Sequence, residues 1–374
     1  MNIGILKEDP RHERRIALTP AAVESLIVLG NSVYVEKDAG IASHFSDEDY
    51  KSVGASVVYT PDEVYGRSNL LLKISSPTIE QCERLINGQM LCSFLHLPVA
   101  NPRIIGSLLR KKICSIGYEL MEDPSGNLPV LRAMSEIAGQ MTIQVAARYL
   151  ESRNNGRGIV LGGITGVQPG LVVILGGGTV GQAAAETALG IGANVIVFDK
   201  DLERLRWIRN RFPNRVTTSV TSAYNLSKAL RNTDVLIGAI MNKGERAPHV
   251  VNEEMVKHMK PGSIIIDVAI DQGGCIETSR PTTLENPTYT LHDVIHYCVP
   301  NMAANVARTA TYGLTNSLLP FLMEIVQKGI HKAITENPGL RAGVCTIDGQ
   351  RTKNILNPAV ETEPSFVEPL SFSK

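Results

Sequence analysis

Residues 171–181 read Leu-Val-Val-Ile-Leu-Gly-Gly-Gly-Thr-Val-Gly, and residues 194–199 read Asn-Val-Ile-Val-Phe-Asp. An apolar strand at 172–175 runs into a G-x-G-x-x-G turn at Gly176, Gly178 and Gly181. A small-residue helix follows at 183–190, and a second apolar strand at 195–198 ends on Asp199. Glycines alone are a weak signal, but strand, turn, helix, strand and terminal acid together describe a dinucleotide-binding βαβ unit. Gly176 makes the tight turn, Gly178 lets backbone approach a pyrophosphate, and Gly181 lets the helix pack close to the strand. The helix N-terminus offers N–H groups and a positive dipole end to the phosphates. Asp199 suits the ribose hydroxyls and repels a 2′-phosphate, which favours NAD; Lys200 beside it leaves NADP open. Gly176, Gly178, Thr179, Val180, Gly181 and Asp199 are therefore the candidate cofactor-binding residues of this unit.

Outward from this unit, the chain alternates elements in the same way. Runs 2–6, 32–36, 56–59, 69–74, 90–95 and 113–117 read as strands. Runs 21–29, 47–53, 79–85 and 102–111 between them read as capped helices. Such alternation builds a parallel sheet with helices on its faces. A long helix is expected over 134–151, further strands at 235–240 and 264–269, a second long helix over 304–328, and a polar tail from 340. Both halves are α/β, so the expected fold is two Rossmann-like domains, with the dinucleotide domain inserted into a discontinuous second domain. The expected boundaries are 1–130, 131–307 and 308–374.

The 374 residues carry 37 basic and 37 acidic side chains, which gives no basic field for nucleic acid or an anionic membrane. The N-terminus lacks the pattern of a secretory signal, and no run is long and apolar enough to span a bilayer. Six cysteines without a C-x-x-C pair predict buried free thiols in a reducing, cytoplasmic setting, and no metal site. His292 and His296, four apart, are compatible with one helix face, where packing or capping is favoured over metal binding.

Dinucleotide-dependent oxidation of an amino or hydroxy acid needs a cation for the substrate carboxylate, a proton carrier and a polar group that orients water or ammonia. Three runs offer them: the charged stretch 7–19, Phe94-Leu95-His96-Leu97 at a strand's C-terminal end, and Asp267-Val-Ala-Ile-Asp271-Gln-Gly-Gly. On residues alone each also has a plainer reading. Arg15 reads as a surface arginine, His96 as a hydrogen-bonded core histidine, Asp271 as a turn aspartate, Ser135 as an N-cap of the long helix, and Asn301 as a turn residue.

These runs give the chain a family likeness. It resembles the alanine dehydrogenase family, which includes the related transhydrogenase subunit. The resemblance rests on Glu13-Arg14-Arg15-Ile16-Ala17-Leu18-Thr19-Pro20, Ser93-Phe94-Leu95-His96-Leu97, Met134-Ser135-Glu136-Ile137-Ala138-Gly139, the 267–274 run, Ser279-Arg280-Pro281-Thr282-Thr283 and Tyr297-Cys298-Val299-Pro300-Asn301-Met302. It implies an NAD-dependent amino-acid dehydrogenase, with reversible oxidative deamination of a small L-amino acid and L-alanine, pyruvate and ammonia as the first expectation. It also implies a homo-oligomer, a hexamer by analogy. By the same resemblance Arg15 clamps the carboxylate, His96 is the acid/base, Asp271 orients ammonia, and Ser135, Asn301 and Met302 lie by the nicotinamide.

Two departures stand out. The family carries Lys-x-Lys-x-Pro where this chain reads Lys73-Ile74-Ser75-Ser76-Pro77, so the second, substrate-contacting lysine is Ser75. On a strand, residues 73 and 75 would share a face roughly 7 Å apart, which would let Lys73 stand in. The family also has prolines after the methionine and before the arginine, where this chain reads Met302-Ala303 and Ala307-Arg308. These departures keep two alternatives open: a member retuned to another 2-oxo acid or amine, and a transhydrogenase-like NAD(H)-binding protein without alanine activity.

Overall fold

The computed structural model describes residues 1–97, 100–240 and 247–352. They form two compact units, Met1–Met134 with the chain from Ala304 onward, and Ser135–Ala303.

The first unit opens with strand β1 (Asn2–Ile5), helix α1 (Pro20–Val28), β2 (Ser32–Glu36), α2 (Asp47–Ser52), β3 (Ser56–Val58) and α3 (Pro61–Arg67). It continues with β4 (Leu70–Leu72), α4 (Ile79–Arg84), β5 (Met90–Ser93), α5 (Pro102–Arg110) and β6 (Cys114–Gly117). Helix starts follow local chemistry. Thr19, Thr60, Thr78 and Asn101 each accept a backbone N–H of the following first turn, and Pro stands at the first turn of α1, α3 and α5. Strands β4, β5 and β6 are buried along their whole length, which is why they show no alternation: β4 is all leucine, and the polar residues of β5 and β6 are the small buried serines Ser93 and Ser115.

A long helix, α6 (Pro129–Tyr149), leads to the second unit. That unit holds β7 (Leu171–Leu175), α7 (Thr179–Gly190), β8 (Asn194–Asp199), α8 (Leu202–Arg211), β9 (Thr217–Val220) and α9 (Ala223–Leu230). Then come β10 (Val235–Gly238), α10 (Glu253–Lys257), β11 (Ile264–Asp267) and the hairpin β12 (Thr288–Leu291) and β13 (Val294–Tyr297). Its sheet order is β12-β13-β11-β10-β7-β8-β9, parallel except for β12. Side-chain alternation along β7 sends Val172 and Ile174 to a core with Ala184, Ala188 and Ile143, and Val173 and Leu175 to the opposite core with Leu226 and Leu230. Helices therefore cover both faces.

The chain returns to the first unit through α11 (Ala307–Lys328), α12 (Ile330–Glu336) and α13 (Pro338–Gly343), and adds β14 (Val344–Ile347) and β15 (Gln350–Arg351). The first sheet's order is β15-β14-β6-β5-β4-β1-β2-β3, with β14 and β15 antiparallel. Of the expected tail from 340, residues 344–347 and 350–351 are thus sheet; positions from 353 lie outside the described residues.

Several local expectations are corrected. The long helix starts at Pro129, so Ser135 is interior to it and not its N-cap. The second long helix starts at Ala307, after a 3₁₀ turn at Met302–Val306. His292 and His296 share no helix. His292 sits in the β12–β13 turn and His296 on β13, wholly buried, with its Nε2 2.8 Å from Thr278 Oγ1 and its Nδ1 3.0 Å from the Val294 carbonyl. All six cysteines are buried and free. Among the described residues no helix is long and apolar enough to cross a membrane, and no three His, Cys, Asp or Glu side chains are grouped to hold a metal.

Candidate active site

In the first unit β1 is flanked by β2 and β4, so the strand order reverses between β1 and β4. Ligands of open α/β sheets bind outside the C-terminal strand ends at such a reversal. Register places Ile5 beside Leu72, Leu72 beside Cys92, and Ser93 beside Gly117, so the segments leaving β1, β4, β5 and β6 share this edge. They carry Glu8, Lys73 to Ser75, Phe94 to His96, and Tyr118 to Glu119.

The edge is organised by carboxylates. Glu8 binds Lys73 Nζ at 2.8 Å through one oxygen and accepts the N–H groups of Ile74 (2.6 Å) and Ser75 (3.2 Å) through the other. Both side chains of this ion pair are nearly inaccessible, 3% for Lys73 and 6% for Glu8. The regular strand ends at Leu72, the Lys73 N–H still pairs with the Cys92 carbonyl at 3.0 Å, and the chain bends at Ile74–Ser75, where Glu8 takes the two amides. Residues 73 and 75 are therefore not on one extended strand, and the Lys73 charge is matched by Glu8. Ser75 is half-buried in the bend.

Arg15 is buried as well, and its fork lies on Glu13, with Nε 2.8 Å and Nη2 2.6 Å from the two carboxylate oxygens. This bidentate pairing fixes the guanidinium plane. Nη1 reaches Met134 Sδ at 3.0 Å, and the guanidinium carbon lies 5.6 Å from the Phe94 ring centre. The Phe94 ring stacks on His96 at 6.0 Å and meets Tyr118 edge-on at 5.4 Å. His96 is exposed and has φ +46, a left-handed backbone that costs a non-glycine residue on the order of 1 kcal/mol or more. Its N–H donates to Glu119 Oε1 at 2.6 Å. Arg15, Lys73, Ser75 and His96 thus belong to one sheet edge.

In the second unit the strand order reverses between β7 and β10, and the glycine turn follows β7. Gly176 has φ +100. A Cβ on Gly181 would lie 1.9 Å from the Gly176 carbonyl oxygen, so only glycine fits there, whereas a Cβ on Gly178 would meet nothing within 4 Å. Gly178 is the N-cap of α7 and offers no side-chain cap, and the first turn, Thr179 to Gly181, holds no acidic residue. Backbone donors, a helix N-terminus with no acidic residue in its first turn and open space above Gly178 fit a pyrophosphate. Asp199, at the end of β8, is buried and accepts the Gly177 N–H at 2.6 Å and the Asp201 N–H at 2.9 Å, with Arg204 Nη1 at 3.6 Å. It therefore ties the glycine turn to the position expected of the ribose acid. Residues Gly176 to Gly181 and Asp199 suit a bound NAD.

The same edge carries the other candidates. A Cβ on Gly139 would come 2.3 Å from the Val180 carbonyl, so α6 packs directly on the first turn of α7, and Ser135 lies one helical turn before that contact. Asp271 is exposed on the 3₁₀ turn Val268–Gln272 after β11. Asp267 holds both ends of that loop by accepting the N–H groups of Ala269 (3.1 Å) and Cys275 (3.0 Å). Burial raises the Asp267 carboxyl above its ordinary range. Asn301, past β13, has φ +55, and Met302 belongs to the buried core of the unit. Asp271 is thus in the unit of the glycine turn and His96 in the other.

Sequence reasoning missed Glu8, Glu13 and Glu119, the acceptors that hold the first unit's candidates. Two of them carry a readable signal: Glu8 and Glu119 are each within three residues of a parallel strand's C-terminal end, where loop amides need acceptors.

Known proteins resemble this chain along nearly its whole length. The family models for the N-terminal and C-terminal domains of alanine dehydrogenase/PNT match residues 4–138 and 142–354. The chain is 46% identical over 353 residues to an alanine dehydrogenase of Methanococcus maripaludis, covering 94% of each protein. It is 42% identical over 373 residues to one of Mycobacterium tuberculosis, covering 99% of each. A solved L-alanine dehydrogenase superposes with a TM-score of 0.90 at 40% identity, covering 96% of this chain and 98% of that one. With both domain models matched and relatives alike along almost the whole length, the chain belongs to the alanine dehydrogenase/PNT family.

Proposed function

We propose that this chain is an NAD-dependent amino-acid dehydrogenase that interconverts L-alanine and water with pyruvate and ammonium. The observation that carries this reading is the 39–46% identity to proteins named alanine dehydrogenase, with 93–99% of the chain covered. When bound, NAD supplies the hydride acceptor, and the second unit is the part that holds it. Gly176, Gly178, Thr179, Val180 and Gly181 would surround the pyrophosphate, Asp199 would take the ribose hydroxyls, and Ser135, Asn301 and Met302 would serve the nicotinamide end. The first unit, into which that one is inserted, serves the substrate.

Arg15 binds the substrate carboxylate through a guanidinium that Glu13 has already oriented, so little order is lost on binding. The His96 imidazole takes a proton as the carbonyl forms and returns one in the reverse direction. Asp271 orients ammonia or water. Ser75 contributes a hydroxyl where the family places a second cation, and the Lys73 ammonium is already paired with Glu8. This lowers the expected efficiency toward alanine and admits a different 2-oxo acid as the better substrate. Assembly as a homo-oligomer, a hexamer by analogy with the family, goes with the same reading. NADH oxidation with ammonium and a panel of 2-oxo acids tests it: turnover with pyruvate or a close analogue supports the assignment, and NADH binding without turnover on any acid favours a binding protein.

A further inference from the structure

Glu119 sits two residues past β6 on a 3₁₀ turn, Tyr118–Leu120, and its carboxylate points back beneath the segment that leaves β5. One oxygen, Oε1, accepts the N–H of His96 at 2.6 Å and that of Leu95 at 3.2 Å, while Oε2 lies 3.3 Å from the Leu95 nitrogen. The carboxylate stands where two consecutive amides converge, and the second belongs to a histidine with φ +46. A left-handed residue that is neither glycine nor asparagine persists only when its surroundings over-determine it. The same turn supplies a second support, since Tyr118 meets the Phe94 ring edge-on and Phe94 stacks on the His96 imidazole. Gly117 leaves room for the carboxylate, because a Cβ there would come within 3.2 Å of Glu119 Oε2.

We propose that Glu119 is a positioning residue for His96, whose backbone it locks in the left-handed conformation and whose imidazole it thereby aims at the substrate. The proposal rests on the reading of His96 as the proton carrier. Reach, not charge, is the property required: an acceptor at the tip of a five-atom side chain must meet both amides. Glutamine keeps that reach without the charge, and aspartate keeps the charge with one methylene less.

The test compares Glu119→Gln, Glu119→Asp and Glu119→Ala in the full chain and on a His96→Ala background. NADH oxidation with pyruvate and ammonium is the activity readout, and deuterium exchange of the peptide spanning residues 94–96 is read in parallel. Misplacement of a catalytic group by about an ångström costs on the order of a hundredfold. Glu119→Ala and Glu119→Asp are therefore expected to lose kcat by that amount, with KM and NADH affinity within a few-fold and faster exchange at Leu95 and His96. Glu119→Gln is expected to stay within a few-fold of wild type with exchange still slow. On the His96→Ala background none of the three should cost anything further. Activity retained in Glu119→Asp but lost in Glu119→Gln overturns the proposal, because charge is then what matters. Unchanged kcat and exchange in Glu119→Asp overturn it as well. If Glu119→Ala does not fold, the contrast between Glu119→Gln and Glu119→Asp decides between these outcomes. If His96→Ala leaves kcat intact, the proton-carrier reading falls and the proposal with it. The exchange data then still report whether Glu119 holds the turn, which separates that failure from a failure of the contact.

Discussion

Replacing Lys73 by methionine asks whether this lysine is a structural partner of Glu8 or a substitute for the cation missing at position 75. At 2.8 Å two unit charges attract by about 6 kcal/mol at an effective dielectric of about 20, and most of this is offset by desolvating both ions. Removing one partner of a buried pair leaves the other charge uncompensated, which costs about 3–5 kcal/mol. Glu8 would keep the Ile74 and Ser75 amides, at 2.6 and 3.2 Å, so Lys73→Met should sit at the lower end, about 3 kcal/mol. The double variant Lys73→Met/Glu8→Gln removes both charges and leaves an amide oxygen for the two N–H groups. It should cost about 1 kcal/mol or less. Urea unfolding followed by circular dichroism reads these values. In parallel, kcat/KM of folded Lys73→Met toward alanine should stay within a few-fold of wild type. A single variant within about 0.5 kcal/mol of wild type, the range of an ordinary surface change, would refute the structural role, as would a double variant no better than the single. A collapse in kcat/KM without loss of stability would show that Lys73 serves the substrate after all.

Asp199→Ala should weaken NADH, because the Gly177 amide loses its acceptor, and should narrow the preference for NADH over NADPH; fluorescence titration of both nucleotides checks this, and an unchanged ratio sinks the assignment. Ser75→Lys should raise alanine kcat/KM about tenfold or more by restoring a charged contact, unless wild type already works near ~10⁴ M⁻¹s⁻¹, in which case the serine is harmless. Burial depresses His296 from 6.5 to about 4, so the native state refuses a proton that the unfolded chain accepts. Its contribution to stability is complete above about pH 6.5 and is lost as pH falls toward 4, by about 3 kcal/mol in all. Unfolding of wild type and His296→Gln across that window should show a fall in stability toward pH 4 that is larger in wild type by this amount.

The β7–α7–β8 unit is legible in the sequence because its glycines have local causes: Gly176 has φ +100, and a Cβ on Gly181 would lie 1.9 Å from the Gly176 carbonyl oxygen. Strand ends are less legible. The runs 69–74 and 90–95 are regular strand only to Leu72 and Ser93: the Lys73 and Phe94 amides still pair with the Cys92 and Ile74 carbonyls, and beyond them Glu8 and Glu119, both distant in sequence, take the amides of Ile74–Ser75 and Leu95–His96. The β12–β13 hairpin escapes a sequence reading because its two-residue turn uses His292 and Asp293, both at positive φ, in place of the usual Asn-Gly. That substitution also lends 292 and 296 their false helical spacing. The β14–β15 hairpin does announce itself, through Asp348-Gly349, within a stretch that reads as tail. Of the candidate site, the residue types are readable; the pairing of Arg15 with Glu13 and of Lys73 with Glu8 is not, since burial of a charged loop is a tertiary outcome.

The most direct test of the proposed activity is the product made from pyruvate, NADH and ¹⁵N-ammonium by the wild-type chain, followed by NMR and mass spectrometry. The expected product is L-[¹⁵N]alanine, one molecule formed per NADH oxidised, with the reaction running backward when NAD and L-alanine are supplied. Lactate in place of alanine would mean carbonyl reduction without amination. No turnover with pyruvate or any other 2-oxo acid, despite tight NADH binding, would contradict the dehydrogenase reading outright.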